Sequence, residues 1–144
     1  MAAIKEIQVT LDCAEPGRLA EFWCEVLGYV VPPVPEGFAT WAEYHRSLPA
    51  EERPVYFACS DPTGAGPRVL FQRVPEGKAV KNRVHLDVRA GKGLVGDERL
   101  AVLEAECERL VALGATHLKT LYADGENESC INMQDIEGNE FCLD

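Results

Sequence analysis

The stretch at residues 135–144, DIEGNEFCLD, decides how the rest of the chain is interpreted. Its first half contains the Asp, Gly and Asn that are typical of a tight turn. Its second half alternates apolar and polar side chains, with Phe141 and Leu143 against Glu140, Cys142 and Asp144. Because successive strand side chains point to opposite faces, this pattern predicts a turn followed by a strand with one polar face. That face meets either solvent or a ligand.

The same order of residues occurs earlier in the chain. DPTGAGPRVLFQ at 61–72 matches the closing stretch with two extra residues, and IQVTLDC at 7–13 matches VHLDVRA at 84–90. The Leu-Gly pair at 27–28 likewise matches the pair at 113–114. Matches of this kind indicate a duplication whose period is about half of the chain.

The first half is predicted to contain a strand, a helix and a hairpin. Alternation over 4–13 puts Ile7 with the apolar residues of a strand, and apolar residues at helical spacing predict a helix over 14–29. The proline-rich segment that follows is unsuited to a central strand, and residues 41–54 are predicted to form a loop with room for one helical turn. Residues 55–74 then predict a hairpin.

The second half is predicted to repeat this order. Alternation over 83–89 predicts a strand with Val84 on its apolar face, and 98–115 forms a strongly amphipathic helix pattern. The apolar stripe predicted for this helix consists of Leu100, Leu103, Cys107, Leu110 and Val111. Three further strands are expected within residues 115–122, 129–134 and 140–144.

Composition excludes several classes of protein. The net charge of −10 would repel both a nucleic-acid backbone and an anionic membrane, so a small molecule or another protein is the expected partner. The six cysteines form no C-x-x-C pair, and the N-terminus lacks the pattern of an export signal. We therefore expect reduced thiols in a soluble cytoplasmic protein. No apolar run approaches the roughly 20 residues that a membrane-spanning helix needs.

Four stretches together resemble the vicinal-oxygen-chelate superfamily, which includes glyoxalase I, the bleomycin-resistance proteins and the extradiol dioxygenases. These stretches are LAEFWCEVLGY, NRVHLDVR, LVALGA and QDIEGNEF. The resemblance implies an α+β fold in which two tandem βαβββ modules form curved mixed sheets around a shared cavity, with the helices outside. It further implies a single domain over 1–144, with modules at about 4–74 and 82–144, in a homodimer.

The resemblance also indicates positions for a metal site. Members of the superfamily that bind a divalent metal take one ligand from each of four cavity strands. The corresponding positions here are Gln8, His85, Cys142 and Leu70, with Gln72 as the alternative to the last. Since only His85 and Cys142 are strong ligands, no complete metal site and no cofactor are expected; if Zn, Mn, Ni or Fe is bound, its ligands are Gln8, His85 and Cys142.

Chemistry without a metal points to the same strand faces. His85 is a candidate general base, and Asp87, two residues further on, is a candidate to stabilise its charged form. A polar core without catalysis explains His85 equally well, and a buried Cys142 is more often inert than nucleophilic. The ligand-binding candidates are Gln8, Thr10, Arg68, Gln72, Glu140, Cys142 and Trp41.

Two functions follow from these observations. The first is a glyoxalase-like protein that binds a small organic molecule in the cavity between the sheets, without a complete catalytic metal site. The alternative is a glyoxalase-like lyase or isomerase that acts on a small oxygenated substrate, either with a metal or with His85 as acid or base. In the first half, Trp41 lies in the long loop beside Tyr44 and Tyr56, where it is positioned to stack on a flat ligand.

Overall fold

The chain has an α+β fold with seven strands and three α-helices, in a computed structural model that describes residues 1–144. It divides into two compact units, Met1–Gly77 and Lys78–Asp144. The division falls between the two predicted modules, while the single-domain assignment stays a prediction. No helix has the length and apolar composition that crossing a bilayer requires.

The first unit is an open, mixed three-stranded sheet with two α-helices. Its elements in chain order are β1 (Val9–Cys13), α1 (Pro16–Leu27), α2 (Trp41–Ser47), a short 3-10 helix (Ala50–Glu52), β2 (Tyr56–Cys59) and β3 (Val69–Arg73). The strand order is β1-β3-β2, with β1 parallel and β2 antiparallel to β3. Helix α1 packs on β2 and β3, where Leu19, Trp23 and Phe71 are almost fully buried. Burial of these large apolar side chains is the main stabilising contribution to the unit.

The second unit has the βαβββ order. Its elements are β4 (Leu86–Val88), α3 (Gly96–Ala112), β5 (Thr116–Leu121), β6 (Cys130–Gln134) and β7 (Glu140–Leu143). The strands form an open, mixed sheet in the order β4-β7-β6-β5. In β6 and β7 every second residue is buried, which confirms the alternation predicted for β7. The first unit lacks a strand equivalent to β5 and has only an isolated bridge between Val30 and Ser60 at that point in the chain.

The predicted duplication is visible in the strand register. Val9 on β1 pairs with Val69 on β3, and their counterparts Leu86 and Phe141 pair with each other on β4 and β7. Both pairs of strands are parallel. The two halves of the sequence therefore build the same parallel pair with the same register.

The turn that precedes the last strand of each half is also shared. The Asp135 carbonyl accepts a hydrogen bond from the Gly138 N–H at 3.0 Å, and the Asp61 carbonyl accepts one from Gly64 at 3.0 Å. Both glycines have a positive φ, 90° and 74°, which side chains other than glycine rarely adopt. The Asp135 carboxylate accepts two further backbone hydrogen bonds, from Glu137 and Asn139. These bonds fix the point at which the polypeptide enters β7.

The opening strands are shorter than the sequence predicts. β1 begins at Val9, so Gln8 lies just outside it, and Ile7 is 72% exposed rather than buried. The register places Pro67 opposite residue 7, and proline has no N–H with which to extend the ladder. β4 likewise begins after His85, and Val84 is exposed.

Helix α2 is a further difference from prediction. Residues 41–47 form a regular α-helix instead of a loop with a single turn. Its N-cap is Thr40, whose side-chain oxygen accepts a hydrogen bond from the Glu43 N–H at 3.0 Å. A capped helix start of this kind stabilises a short helix by about 1 kcal/mol.

The buried stripe of α3 differs from the predicted one by including an arginine. Arg99 is only 7% exposed, while Val111 is 44% exposed and Leu100 is half-buried. The Arg99 guanidinium donates to the Ser129 and Gly91 carbonyls and to Asp144 Oδ1, the last at 2.6 Å. Burial of the charge is tolerated because each of these contacts offsets the loss of hydration.

Candidate functional site

His85 and Asp87 are in direct contact in the second unit. His85 Nε2 lies 3.1 Å from Asp87 Oδ1, and the two side chains are 43% and 54% exposed. Residues two apart on a strand are roughly 7 Å apart along the backbone, so contact was not expected from spacing alone. Because His85 precedes β4, its side chain is free to turn towards Asp87. Because the contact uses Nε2, the other ring nitrogen, Nδ1, is the one that could exchange a proton with a ligand.

Cys142 lies beside this pair on β7. The register pairs it with Asp87 on β4 and with Asn132 on β6, so all three side chains share one face of the sheet. The Cys142 thiol donates a hydrogen bond to Asn132 Oδ1 at 2.9 Å. Burial raises the pKa of Cys142 to about 11, and the negative charge of Asp87 acts in the same direction. The thiol is therefore protonated at neutral pH, which argues against a nucleophilic cysteine.

Together, His85, Asp87 and Cys142 form a group of potential metal ligands that we call the donor cluster. One ligand atom from each residue lies within 4.8 Å of the others. Asp87 was predicted as a partner of His85 and not as a ligand, and it is the residue that the predicted ligand set lacked. The pairing of Asp87 with Cys142 follows from the register of β4 and β7. The internal duplication is the sequence signal that could have identified Asp87, because it aligns Asp87 with Thr10 and Cys142 with Leu70, two residues that pair on β1 and β3.

Glu140, a predicted ligand-binding residue, is occupied by contacts outside the donor cluster. Its carboxylate accepts a hydrogen bond from the Asn82 N–H at 3.1 Å and pairs with Lys78 Nζ at 3.0 Å. Burial alone would raise the pKa of Glu140, but these two contacts outweigh it and hold the pKa below its usual value. The arrangement anchors the segment before β4.

Polar candidates in the first unit form a different arrangement. Arg68 Nη1 donates to Gln8 Oε1 at 2.9 Å, and both side chains are exposed. Thr10 is exposed on β1, while Leu70 and Gln72 are half-buried on β3. These residues offer hydrogen bonds but no cluster of strong metal ligands.

Trp41 is held within an aromatic cluster of the first unit. Its Nε1 donates to the Pro32 carbonyl at 2.8 Å, and its ring centroid lies 4.8 Å from that of Phe57 and 5.7 Å from that of Tyr44. The His45 ring joins the same cluster. Tyr56 is more than half exposed. Trp41 is therefore positioned by packing, whatever its role in ligand binding.

The donor cluster fits a zinc ion better than a manganese ion. It offers an imidazole nitrogen, a carboxylate oxygen and a sulfur, a set used by zinc, whereas Mn²⁺ prefers oxygen ligands. Ligands in a tetrahedral zinc site are roughly 3.4–3.7 Å apart, so a separation of 4.8 Å requires a contraction of about 1 Å. The exposure of His85 and Asp87 gives both side chains room for this movement.

Comparison with solved structures shows the same fold in several proteins of low sequence identity. A glyoxalase/bleomycin resistance protein/dioxygenase family enzyme from Burkholderia phytofirmans PsJN is 14% identical, with 94% of each chain covered and a TM-score of 0.60. The fosfomycin resistance protein FosX from Listeria monocytogenes is 11% identical, with 99% of this chain and 93% of that one covered and a TM-score of 0.62.

A variant of the Listeria protein has been solved with Mn(II) and 1S,2S-dihydroxypropylphosphonic acid. It is 11% identical, with 98% of this chain and 90% of that chain covered and a TM-score of 0.59. At these identities the likeness shows the fold alone. No curated protein matches the sequence.

The family model described as "Glyoxalase-like domain" matches residues 8–143, which is almost the whole chain. The matched region includes the parallel strand pairs, both long helices and the closing turn. It also includes all four stretches that carried the resemblance in the sequence. The chain belongs to the glyoxalase-like domain family of the vicinal-oxygen-chelate superfamily.

Proposed function

We propose that the protein binds a small oxygenated organic molecule on the polar face of β4, β7 and β6. In this proposal the donor cluster holds a divalent metal ion, with zinc as the best fit. The observation that carries this proposal is the proximity of the three ligand atoms, all within 4.8 Å of one another. Three protein ligands with one open position are typical of catalytic zinc sites. The expectation of an incomplete metal site is revised because Asp87 supplies the third strong ligand.

Bound zinc would supply a Lewis acid that polarises an oxygen of the organic molecule. The residues around the donor cluster supply the remaining interactions. Asn132, which already accepts a hydrogen bond from Cys142, also has an amide NH₂ that can donate to a ligand oxygen. The reaction class that suits such a site is that of a lyase or isomerase acting next to a carbonyl or hydroxyl group.

The protonated Cys142 thiol favours a second candidate function, in which a small molecule binds without a metal. With its thiol neutral and bonded to Asn132, the polar face already satisfies its own hydrogen bonds. His85 then acts as a general base through Nδ1, and Asp87 stabilises the charged imidazole. The homodimer and the cytoplasmic location are part of both proposals, and they rest on the family resemblance and the cysteine usage.

Metal analysis of the purified full-length protein separates the two candidates. We expect about one zinc per chain after equilibration with excess zinc and removal of unbound metal. Ligand loss in His85→Ala or Asp87→Asn should weaken zinc binding by at least about 100-fold, since even residues that only support ligands account for 10–100-fold. His117→Ala is the matched control, because His117 lies on β5 and contacts Thr120 instead of the donor cluster.

Zinc content that is negligible, or that is unchanged in His85→Ala, would contradict the metal-dependent proposal. A thermal-shift screen of small oxygenated and aromatic metabolites then tests the metal-free candidate. A compound that binds the native state raises the melting temperature. A rise that persists in His85→Ala would indicate binding without His85 chemistry.

A further inference from the structure

The first unit contains a cavity lined by arginines that the proposed function does not use. It has a volume of about 70 Å³ and lies where the start of α1 meets α2 and the end of β3. Its charged lining residues are Arg18, Arg46, Arg53, Arg73 and Glu15. Four of the 14 lysines and arginines of the chain thus line one cavity, although the chain as a whole carries a charge of −10.

The arginines around this cavity retain unused hydrogen-bond donors. Arg53 donates through Nε and Nη2 to the carbonyls of Leu48 and Arg46, and Arg73 donates through Nη2 to the Arg53 carbonyl. A guanidinium has five N–H donors in a planar arrangement, so these contacts fix the orientation of each group and leave other N–H donors for a ligand. Guanidinium groups held in this way suit the planar, paired oxygens of a carboxylate or the oxygens of a phosphate.

Glu15 is the only acidic residue in the lining, and its carboxylate is held by neighbouring guanidinium groups. Its carboxylate accepts a hydrogen bond from Arg46 Nε at 2.7 Å and lies 3.8 Å from Arg18 Nη1. The hydrogen bond from Arg46 lowers the pKa of Glu15, and the charges of Arg18 and Arg53 contribute to the shift. The lining thus contains four guanidinium groups and one carboxylate, which leaves an excess of positive charge at the cavity.

The start of α1 adds further donors. Glu15 is the N-cap residue but makes no side-chain capping hydrogen bond, Pro16 follows it, and the first turn contains no acidic residue. Gly17 and Arg18 both line the cavity, and N–H groups in the first turn of a helix have no acceptor within the helix. The positive end of the helix dipole therefore acts together with the arginines.

His45 closes one side of the cavity and connects it to the aromatic cluster. A Cβ atom at Gly17 would come within 2.5 Å of His45 Nδ1, so the absence of a side chain at residue 17 allows the ring to pack there. Burial lowers the pKa of His45, which leaves the ring neutral at neutral pH. Its centroid lies 5.4 Å from that of Trp41, so an apolar group attached to an anion would meet aromatic rings.

From this geometry we infer a binding site for a small oxyanion, either a carboxylate or a phosphate group, at the arginine-lined cavity of the first unit. A volume of about 70 Å³ accommodates an anionic head group, whereas pockets for drug-sized ligands measure about 300–1,000 Å³. The site is separate in its residues from the donor cluster and does not depend on the proposed metal.

Titration of the full-length protein with inorganic phosphate, followed by amide NMR shifts at constant ionic strength, tests this site. We expect saturable shifts at Gly17 and Arg18. Acetate and benzoate are titrated in parallel to identify the source of the anion. Preference for phosphate indicates a phosphate group, and preference for benzoate over acetate indicates a carboxylic acid with an aromatic ring.

Two variants distinguish a built site from general charge attraction. Arg46→Gln removes one guanidinium and should weaken binding of the preferred anion about tenfold, the factor expected when one charge-assisted hydrogen bond is lost. Ala42→Leu fills the cavity without changing charge and should weaken binding by a similar factor or more.

Arg109→Gln is the matched control, because Arg109 also pairs with a glutamate, Glu106, but lies on α3 of the second unit. It should bind anions as the native protein does. Equal weakening in Arg109→Gln and Arg46→Gln, or shifts that never saturate for any of the three anions, would overturn the inference. Melting curves of each variant identify any loss of folding.

Discussion

The parallel strand pair of the first unit and that of the second have the same register but different chemistry. Thr10 pairs with Leu70 on β1 and β3, and the equivalent residues Asp87 and Cys142 pair on β4 and β7. Gln8 and His85 each lie one residue before the strand. The second copy thus has an imidazole, a carboxylate and a thiol where the first has an amide, a hydroxyl and an alkyl group. The backbone repeat fixes the positions, and three side chains decide whether a donor cluster exists.

The inward-facing residues of the two pairs differ less. Phe141 and its counterpart Val69 are both almost fully buried, as are Leu143 and its counterpart Phe71. All four are apolar, although their sizes differ. Burial requires an apolar residue of suitable volume at these positions, whereas the polar face leaves the residue type open.

The largest expected effect tests the apolar face that both strand pairs share. Phe141→Ala should lower the free energy of unfolding by about 3–5 kcal/mol, because a large buried ring is replaced by a cavity. Val69→Ala, at the equivalent position, should lower it by only about 2 kcal/mol, since fewer buried carbons are removed. Urea unfolding measures both values. Equal losses would show that the two apolar faces are not packed as the structure has them.

A second prediction transfers the donor cluster to the first copy. Gln8→His, Thr10→Asp and Leu70→Cys together, in a His85→Ala protein, should create a zinc site, because the two strand pairs have the same register. Its affinity should be lower than that of the native cluster, since the Arg68 guanidinium lies 2.9 Å from the residue 8 side-chain oxygen and repels a cation.

Zinc titration of the transferred cluster provides the measurement, with the His85→Ala protein as its control. Absence of any gain in zinc binding, in a variant that still melts cooperatively, would show that register alone does not bring the three side chains together. If Arg68→Gln increases the zinc affinity of the transferred cluster, the result would support repulsion by Arg68 as the reason for its lower affinity.

The smallest expected effect is a pH dependence that only the second copy has. Burial raises the pKa of Cys142 to about 11 from a reference value of 9.0, whereas its counterpart Leu70 has no proton to lose. A raised folded-state pKa contributes stability that is fully present below about pH 9 and is lost as the pH rises towards 11. Because only the thiolate reacts, we expect slow alkylation of Cys142 at pH 8. The alkylation rate should rise with pH and reach half of its maximum near pH 11.

Peptide mapping by mass spectrometry after iodoacetamide treatment reports on Cys142 separately from the other thiols. Rapid alkylation at pH 8 would contradict the raised pKa. Because zinc binds the thiolate, zinc binding should also release a proton and should strengthen as the pH rises. Cys142→Ser should reduce this proton release.

Turns and helix ends followed directly from the sequence. The D-x-x-G pattern predicted both turns before β3 and β7, and the helices predicted over 14–29 and 98–115 end within three residues of the observed ends of α1 and α3. The polar and apolar faces predicted for β7 were confirmed in every residue of the strand. Each of these features depends on residues close together in the chain.

Features that depend on distant residues were less predictable. Arg99 was not expected to be buried, because its three acceptors come from a loop before α3, the residue before β6 and the last residue of the chain. Ile7 and Val84 were expected to be buried but are exposed, since β1 and β4 each begin two residues after them. The arginines of the cavity at α1 likewise come from separate segments.

The sequence by itself determined the family, the match between the two halves and the two long helices, because periodicity and turn chemistry are local properties that the residues carry directly. Tertiary structure decided the distances that bring the ligand atoms of His85, Asp87 and Cys142 within 4.8 Å of one another, and it decided that four arginines surround one cavity. Those groupings depend on strand register and on the packing of α1 against α2, which bring together side chains far apart in the chain.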